Sequence, residues 1–253
     1  MREIFDNPTI QSVTLEIRFP ALFYIESKIG DFQKAIFDKF PASALLSRKS
    51  INFFVAGQQV KAEDINKANQ APTADAMIWE FKSEDNYTLH VINNSITISS
   101  TVHKTYNNEG GEKFREMIIF AIGKFIEIVS IPRIDRIGLR YINTCPFPTG
   151  GEEEFNKYYK IGMPFSRFPL SKIQQSNFTI VSNIKDNYTL RFTEAINSLV
   201  NPKQVLLDYD ASKTNITPDK YLETADALHE IISEEFEKSI GEGLINYMKQ
   251  KNI

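Results

Sequence analysis

A seven-residue string occurs twice in this chain with five positions identical. Asp85-Asn86-Tyr87-Thr88-Leu89-His90-Val91 is matched by Asp186-Asn187-Tyr188-Thr189-Leu190-Arg191-Phe192, and the last residue is apolar in both. Asp and Asn accept turn conformations, and Tyr-Thr-Leu suits a pleated strand. The runs ahead of the copies, Trp79-Glu80-Phe81-Lys82 and Phe178-Thr179-Ile180-Val181, also read as strands. Each copy therefore predicts the turn and second strand of an antiparallel hairpin.

The surroundings of the two copies repeat as well. Asn7-Pro8 opens a short extended arm, and in residues 12–19 Val13, Leu15, Ile17 and Phe19 alternate with Thr14, Glu16 and Arg18, which predicts a half-buried strand. Residues 24–40 place Ile25, Ile29, Phe32, Ile36 and Phe40 at helical steps, and Pro41 closes that helix. A strand at 51–56 and a polar, turn-rich loop at 57–75 follow. A meander of Ala76–Lys82, Tyr87–Ile92 and Ser95–Ser100 comes next, with Asn93-Asn94 expected as a two-residue loop using positive φ. Residues 112–129 are apolar over more than half of a helix's circumference.

After Pro132 the order restarts. The expected elements are a strand at 136–144, a short helix at 152–161, paired strands at 173–184 and 187–192, and a strand at 204–210. Thr217 as N-cap and Pro218 at the first helical position then open one long amphipathic helix running to about residue 249. A shared order with matching anchors predicts duplication. The expected fold class is α+β: a curved antiparallel sheet with long helices on one face, in two strand-helix-strands-helix halves. Those halves span residues 1–132 and 133–253 and form one compact unit. In element order this resembles the TATA-binding-protein-like or helix-grip class.

Composition narrows the classes of function. The chain has 253 residues, 42% hydrophobic and 24% charged, with a net charge of −3 spread evenly between the halves, so no global field favours indiscriminate nucleic-acid binding. Cys145 is the only cysteine, which rules out an intramolecular disulfide and fits a reducing compartment. The N-terminus lacks a basic-then-apolar signal pattern and no apolar run is long enough to span a bilayer, so the expected location is cytoplasmic, without a membrane partner.

Residues 136–143 read Arg-Ile-Gly-Leu-Arg-Tyr-Ile-Asn. With Asn7-Pro8-Thr9-Ile10 and Trp79-Glu80-Phe81, this stretch resembles a sporadically distributed prokaryotic family of uncharacterised conserved hypothetical proteins. The resemblance covers nearly the whole chain and is specific mainly through residues 136–143. It implies no activity. The patchy distribution of such a family is typical of mobile genes, including phage-defence and toxin–antitoxin cassettes.

Motifs that carry chemistry are sparse. Arg136 and Arg140 lie four apart on a strand and share a face with Gly138 between them, forming a basic notch for a phosphate or carboxylate. Asn143 and Arg191, the counterpart of His90, complete the candidate ligand-binding set. The alternative is that the two arginines pair with neighbours such as Glu16 or Asp208, the commoner fate of charged strand residues. His90, His103 and His229 have no metal-ligand spacing, and Cys145 reads as a buried inert thiol. Gly110-Gly111 precedes a helix, but Glu109 and Glu112 oppose anion binding there, and after Gly150-Gly151 the acids Glu152, Glu153 and Glu154 read as stabilising a helix's first turn. No catalytic residue, metal ligand or cofactor is assigned.

Three functions follow as expectations. The first is a non-enzymatic binding or assembly protein, a homodimer or the partner of another protein. The second is nucleic-acid binding on the exposed sheet face. The third is a small-molecule-binding protein or enzyme of the helix-grip kind, closed by its C-terminal helix, with residues 57–75 as a lid.

Overall fold

The computed structural model describes residues 4–48, 76–103, 105–108, 113–160, 162–185, 187–197 and 202–250. Among them, nine strands build one antiparallel open sheet: β1 (Ile10–Arg18), β2 (Ala42–Arg48), β3 (Ala76–Lys82), β4 (Tyr87–Ile92), β5 (Ser95–Ser100), β6 (Ile134–Pro146), β7 (Gln175–Lys185), β8 (Tyr188–Asn197) and β9 (Gln204–Ile216). Their order across the sheet is β2-β3-β4-β5-β1-β6-β9-β8-β7. Five helices accompany them: α1 (Ile25–Ile36), α2 (Phe114–Val129), α3 (Gly151–Tyr158), α4 (Tyr221–Ser239) and α5 (Glu242–Lys249). Among the described residues no helix is long and apolar enough to cross a membrane.

Alternation sorts each strand between two environments. Val13, Leu15 and Ile17 of β1, Ile137, Leu139 and Tyr141 of β6, and Val205, Leu207 and Tyr209 of β9 are all buried in a single core with the helices. The centre of the sheet is the β1/β6 ladder, which pairs Leu15 with Leu139 and Arg18 with Arg136. α1 and α2 cover the first-half strands, where Phe32 meets Phe81 and Phe125 edge to face at 5.7 and 5.2 Å. α4 lies against β9, β6 and β8. α2 stops where Ser130 turns left-handed at φ 55°, and the Tyr24 hydroxyl donates to the freed Val129 carbonyl at 3.1 Å.

The repeated heptads occupy equivalent places. Asn86 and Asn187 both adopt positive φ, 62° and 67°, and each is followed by a buried tyrosine that starts a strand, Tyr87 in β4 and Tyr188 in β8. Positive φ is accessible to Asn at little cost, which is the physical use of that residue here.

Three expectations are corrected. Asn93-Asn94 does form the two-residue connection, pairing Ile92 with Ser95, but without positive φ. Its backbone is used otherwise: the Asn94 and Asn93 carbonyls accept from Phe19 and Leu22 N–H at 3.0 and 2.8 Å, pinning the exit of β1. Second, β2 forms at Ala42–Arg48, where no strand was expected, because Ser43 and Leu45 find register partners in Phe81 and Trp79. The strand expected at 51–56 and the loop at 57–75 lie outside the described residues, as do Gly110-Gly111.

Third, the long C-terminal helix is two. It breaks at Ile240-Gly241, where the chain runs extended and exchanges backbone hydrogen bonds with the end of α3: Lys160 N–H to Ser239 O at 2.8 Å and Gly241 N–H to Tyr158 O at 2.8 Å. A Cβ at Gly241 would collide with the Lys157 carbonyl, so only glycine permits the approach. At the start of α4, Thr217 makes no side-chain cap bond, and a single 3-10 turn, Pro218–Lys220, leads into the helix.

Candidate functional site

Strand parity separates the sequence-predicted ligand residues. Arg136, Arg140 and Arg191 lie on the open face of the sheet, whereas Asn143, at an odd position of β6, lies on the helix face and is buried. Asn143 therefore does not join the arginines. The open face is a ladder of opposite charges. Arg136 donates to Glu16 at 3.0 Å and Asp210 at 2.9 Å, and Arg140 holds Asp208 through two bonds of 2.8 and 2.6 Å. Arg191 lies 3.9 Å from the same Asp208. The space above Gly138 is filled by the Arg136 guanidinium itself, which would collide with any Cβ there. His90 pairs across the strands with Glu80 at 3.0 Å, and this contact, followed by Lys82, lowers the Glu80 pKa.

The larger concave feature is on the other face. A cleft of about 980 Å³ lies over the middle of the sheet, between the first turn of α2 and α4. Tyr141 and Asn143 of β6, Tyr209 of β9 and Ile10 of β1 form its floor. Its walls are the N-terminal arm through Phe5, Pro8 and Thr9, the segment around His103 to Asn108, the α4 face, and Met248 of α5.

Each wall is fixed by a local device. The segment after β5 lends its carbonyls to the open N-terminus of α2: Phe114 N–H donates to Thr105 O at 3.1 Å and Arg115 N–H to Tyr106 O at 3.0 Å. Two otherwise orphaned helix donors are thus satisfied, and Tyr106 and Arg115 are brought side by side. On α4, Asp226, His229 and Ser233 follow at steps of three and four and share one face. The arm is held by Asn7 N–H on the Met248 carbonyl at 2.9 Å and by Thr144 N–H on the Thr9 carbonyl at 2.9 Å.

These devices bring together a polar cluster from four places in the chain. Arg115 binds Asp226 through two hydrogen bonds of 2.8 and 2.9 Å, and the Tyr106 hydroxyl donates to the same carboxylate at 2.8 Å. The Tyr106 ring stacks on His229 with centroids 4.0 Å apart. Tyr141 Oη lies 3.4 Å from His229 Nδ1, and Ser233 Oγ lies 3.4 Å from His229 Nε2. His103 is wedged edge-to-face between Phe114 and Tyr141, and its Nδ1 is buried without a hydrogen-bond partner.

Burial sets the protonation of this cluster. Desolvation is the main cause that lowers the His229 pKa to about 3, and desolvation alone lowers that of His103 to about 4. Both imidazoles are neutral at physiological pH. Tyr106 is held protonated, first by burial and then by Asp226, and Tyr141 by burial. Cys145, one strand position beyond the floor, is 1% exposed and its pKa is pushed up to about 12, which leaves it an unreactive thiol.

Among the described lining residues the charged groups are Arg115, already neutralised by Asp226, and the carboxylates Glu230, Glu234 and Glu237 along α4. Glu230 and Glu234 are exposed at the rim. Among the described residues no group of three or more His, Cys, Asp or Glu is placed to hold a metal ion. The arrangement therefore offers buried aromatic side chains, neutral hydrogen-bonding groups and an acidic rim. No protein-family model, curated protein or solved structure matches this chain.

Proposed function

We propose that the protein is a binding protein for a small, amine-bearing molecule, neutral or cationic, taken into the cleft between α2 and α4. The observation that carries the reading is the cleft itself: a volume of about 980 Å³ at the centre of the sheet, with a polar floor and walls from separate parts of the chain. That volume lies in the usual range for small-molecule sites. Its acidic rim of Glu230 and Glu234 favours an amine over an anion. His103 and His229 are held neutral far below working pH, so they serve as fixed hydrogen-bonding groups and are poorly matched to proton transfer at neutral pH. Binding without chemical conversion fits them better than catalysis.

The fold is read here as a duplicated unit whose halves meet at the β1/β6 ladder. Support comes from the sheet order, which runs outward from that ladder in the same sequence on both sides: β1, β5, β4, β3 and β6, β9, β8, β7. The equivalent positive-φ asparagines Asn86 and Asn187 support it too. The cleft then lies near the junction of the halves, in the manner of a helix-grip protein. The open face is a poorer nucleic-acid surface, because Arg136, Arg140 and Arg191 each have a carboxylate beside them.

A thermal-shift titration tests the reading. The panel comprises polyamines, arginine, choline, mononucleotides and dicarboxylates, each at millimolar concentration. Amines raise the melting temperature of the wild type, and the double variant Glu230→Gln/Glu234→Gln, altered only at exposed rim positions, loses most of that shift. Stabilisation by nucleotides or dicarboxylates instead would overturn the charge class, and no stabilisation by any of them would count against the cleft as a small-molecule site.

A further inference from the structure

The cleft leaves unexplained the far edge of the sheet. Among the described residues β7 is the terminal strand of the sheet and pairs with β8 alone. It is eleven residues long, and from Gln175 to Ile184 it contains no charge, no proline and no glycine. Phe178, Ile180, Val181 and Ile184 are 41, 47, 65 and 44% exposed. A long, uncharged edge with apolar side chains is a template for pairing with another strand, and natural edges are normally blunted by lysine, proline, bulges or shortness. The middle of β7 carries none of these, and its one bulge, between Asn183 and Lys185, leaves 177–183 regular.

The opposite edge differs. Among the described residues that edge is β2, which is only seven residues long.

We infer that β7 pairs with β7 of a second copy, antiparallel about a two-fold axis through Ile180, so that two sheets join edge to edge. Ile180 is the middle residue of the strand, so this register uses all of it. It sets Ile180 against Ile180 and Phe178 against Ser182 on the helix face. On the open face it sets Thr179 against Val181 and Asn177 against Asn183. No like charges meet, and the strand's lone charged residue, Lys185, falls opposite Gln175. A two-fold contact closes on itself and stops at the dimer, whereas β7 on β2 would propagate into a filament.

Charge substitution at the axis makes the test. Ile180→Lys places two ammonium groups directly opposite one another, and Ile180→Glu places two carboxylates there; Ile180 is 47% exposed, so both variants keep the monomer fold. By analytical ultracentrifugation at micromolar concentration, the wild type sediments as a dimer of the 29.0 kDa chain. Each variant alone sediments as a monomer, and an equimolar mixture of the two restores the dimer. A monomeric wild type, or variants that remain dimeric, would overturn the proposal. Open-ended association of the wild type would overturn the two-fold register in favour of β7 on β2.

Discussion

The two faces of β6 treat polar groups in opposite ways. On the open face, Arg136 and Arg140 lean along the strand onto carboxylates of β1 and β9, and the ladder closes on itself. On the helix face, Tyr141 and Asn143 belong to a cluster in which charge is either paired, as Arg115 with Asp226, or removed by burial, as at His103 and His229. One nitrogen, His103 Nδ1, is left without a partner there. Exposed strand charges are satisfied laterally because antiparallel register puts neighbours within reach. Buried groups have no water to fall back on, so every unpaired atom costs stability and marks a place where a ligand can be recognised.

Acid distinguishes the faces most sharply. The folded-state pKa values of His103 and His229 lie near 4 and 3, against 6.5 when unfolded, so the unfolded chain binds more protons between those limits. Stability is therefore fully present above about pH 6.5 and lost as pH falls toward 4, with each imidazole contributing a slope of about 1.4 kcal/mol per pH unit. Glu194 works the other way. Its carboxyl is raised to about 7, chiefly by burial, so its contribution is present below about pH 4.5 and lost as pH rises toward 7. Two imidazoles outweigh one carboxyl, and the net slope between 4.5 and 6.5 is positive. Urea denaturation across this range is expected to show it. His103→Phe, which keeps the edge-to-face packing, is expected to flatten the acid limb, and an unchanged limb would place the protonation elsewhere.

Packing comes next in size. Leu139 is fully buried on the helix face, one residue from Gly138 on the open face. Leu139→Ala is expected to cost about 3 kcal/mol, read as a lower denaturation midpoint with an unchanged slope. A smaller effect is expected from Arg140→Ala. It strands Asp208, whose side chain is 6% exposed, without its two-bond partner, and about 2 kcal/mol is the expected loss at pH 7. A lower urea midpoint with an unchanged slope checks it. Gly138→Ala is the mildest. The new methyl displaces the flexible Arg136 head and not backbone, so a loss below about 1 kcal/mol is expected. A cost as large as that of Leu139→Ala would mean that the ladder on the open face matters as much as the core.

Much of the fold was legible because it rests on local periodicity. The three strands of the meander occupy the residues that alternation assigns them, and the apolar run at 112–129 folds as α2 within two residues. The break between α4 and α5 was legible in principle, since Gly241 and Gly243 interrupt the sequence two residues apart; the apolar stripe that continues past them hid it. The cleft was less accessible. Asp226, His229 and Ser233 share a helix face by spacing, and Tyr141 and Asn143 share a strand face by parity, which are signals a reading of the chain can find. Nothing local tells that His103 belongs with them.

Sequence alone determined which residues of β1, β6 and the meander turn inward and where the Asn86 and Asn187 turns fall. Those follow from contacts between near neighbours and from the backbone tolerance of Asn86 and Asn187. Tertiary structure alone decided that Arg136 fills the space above Gly138 and that His103 meets the α4 face through Tyr141. The reason is distance along the chain. Tyr106 and His229, far apart in sequence, stack at 4.0 Å because pairing of β1 with β6 builds the strands and helices around them into one sheet and core.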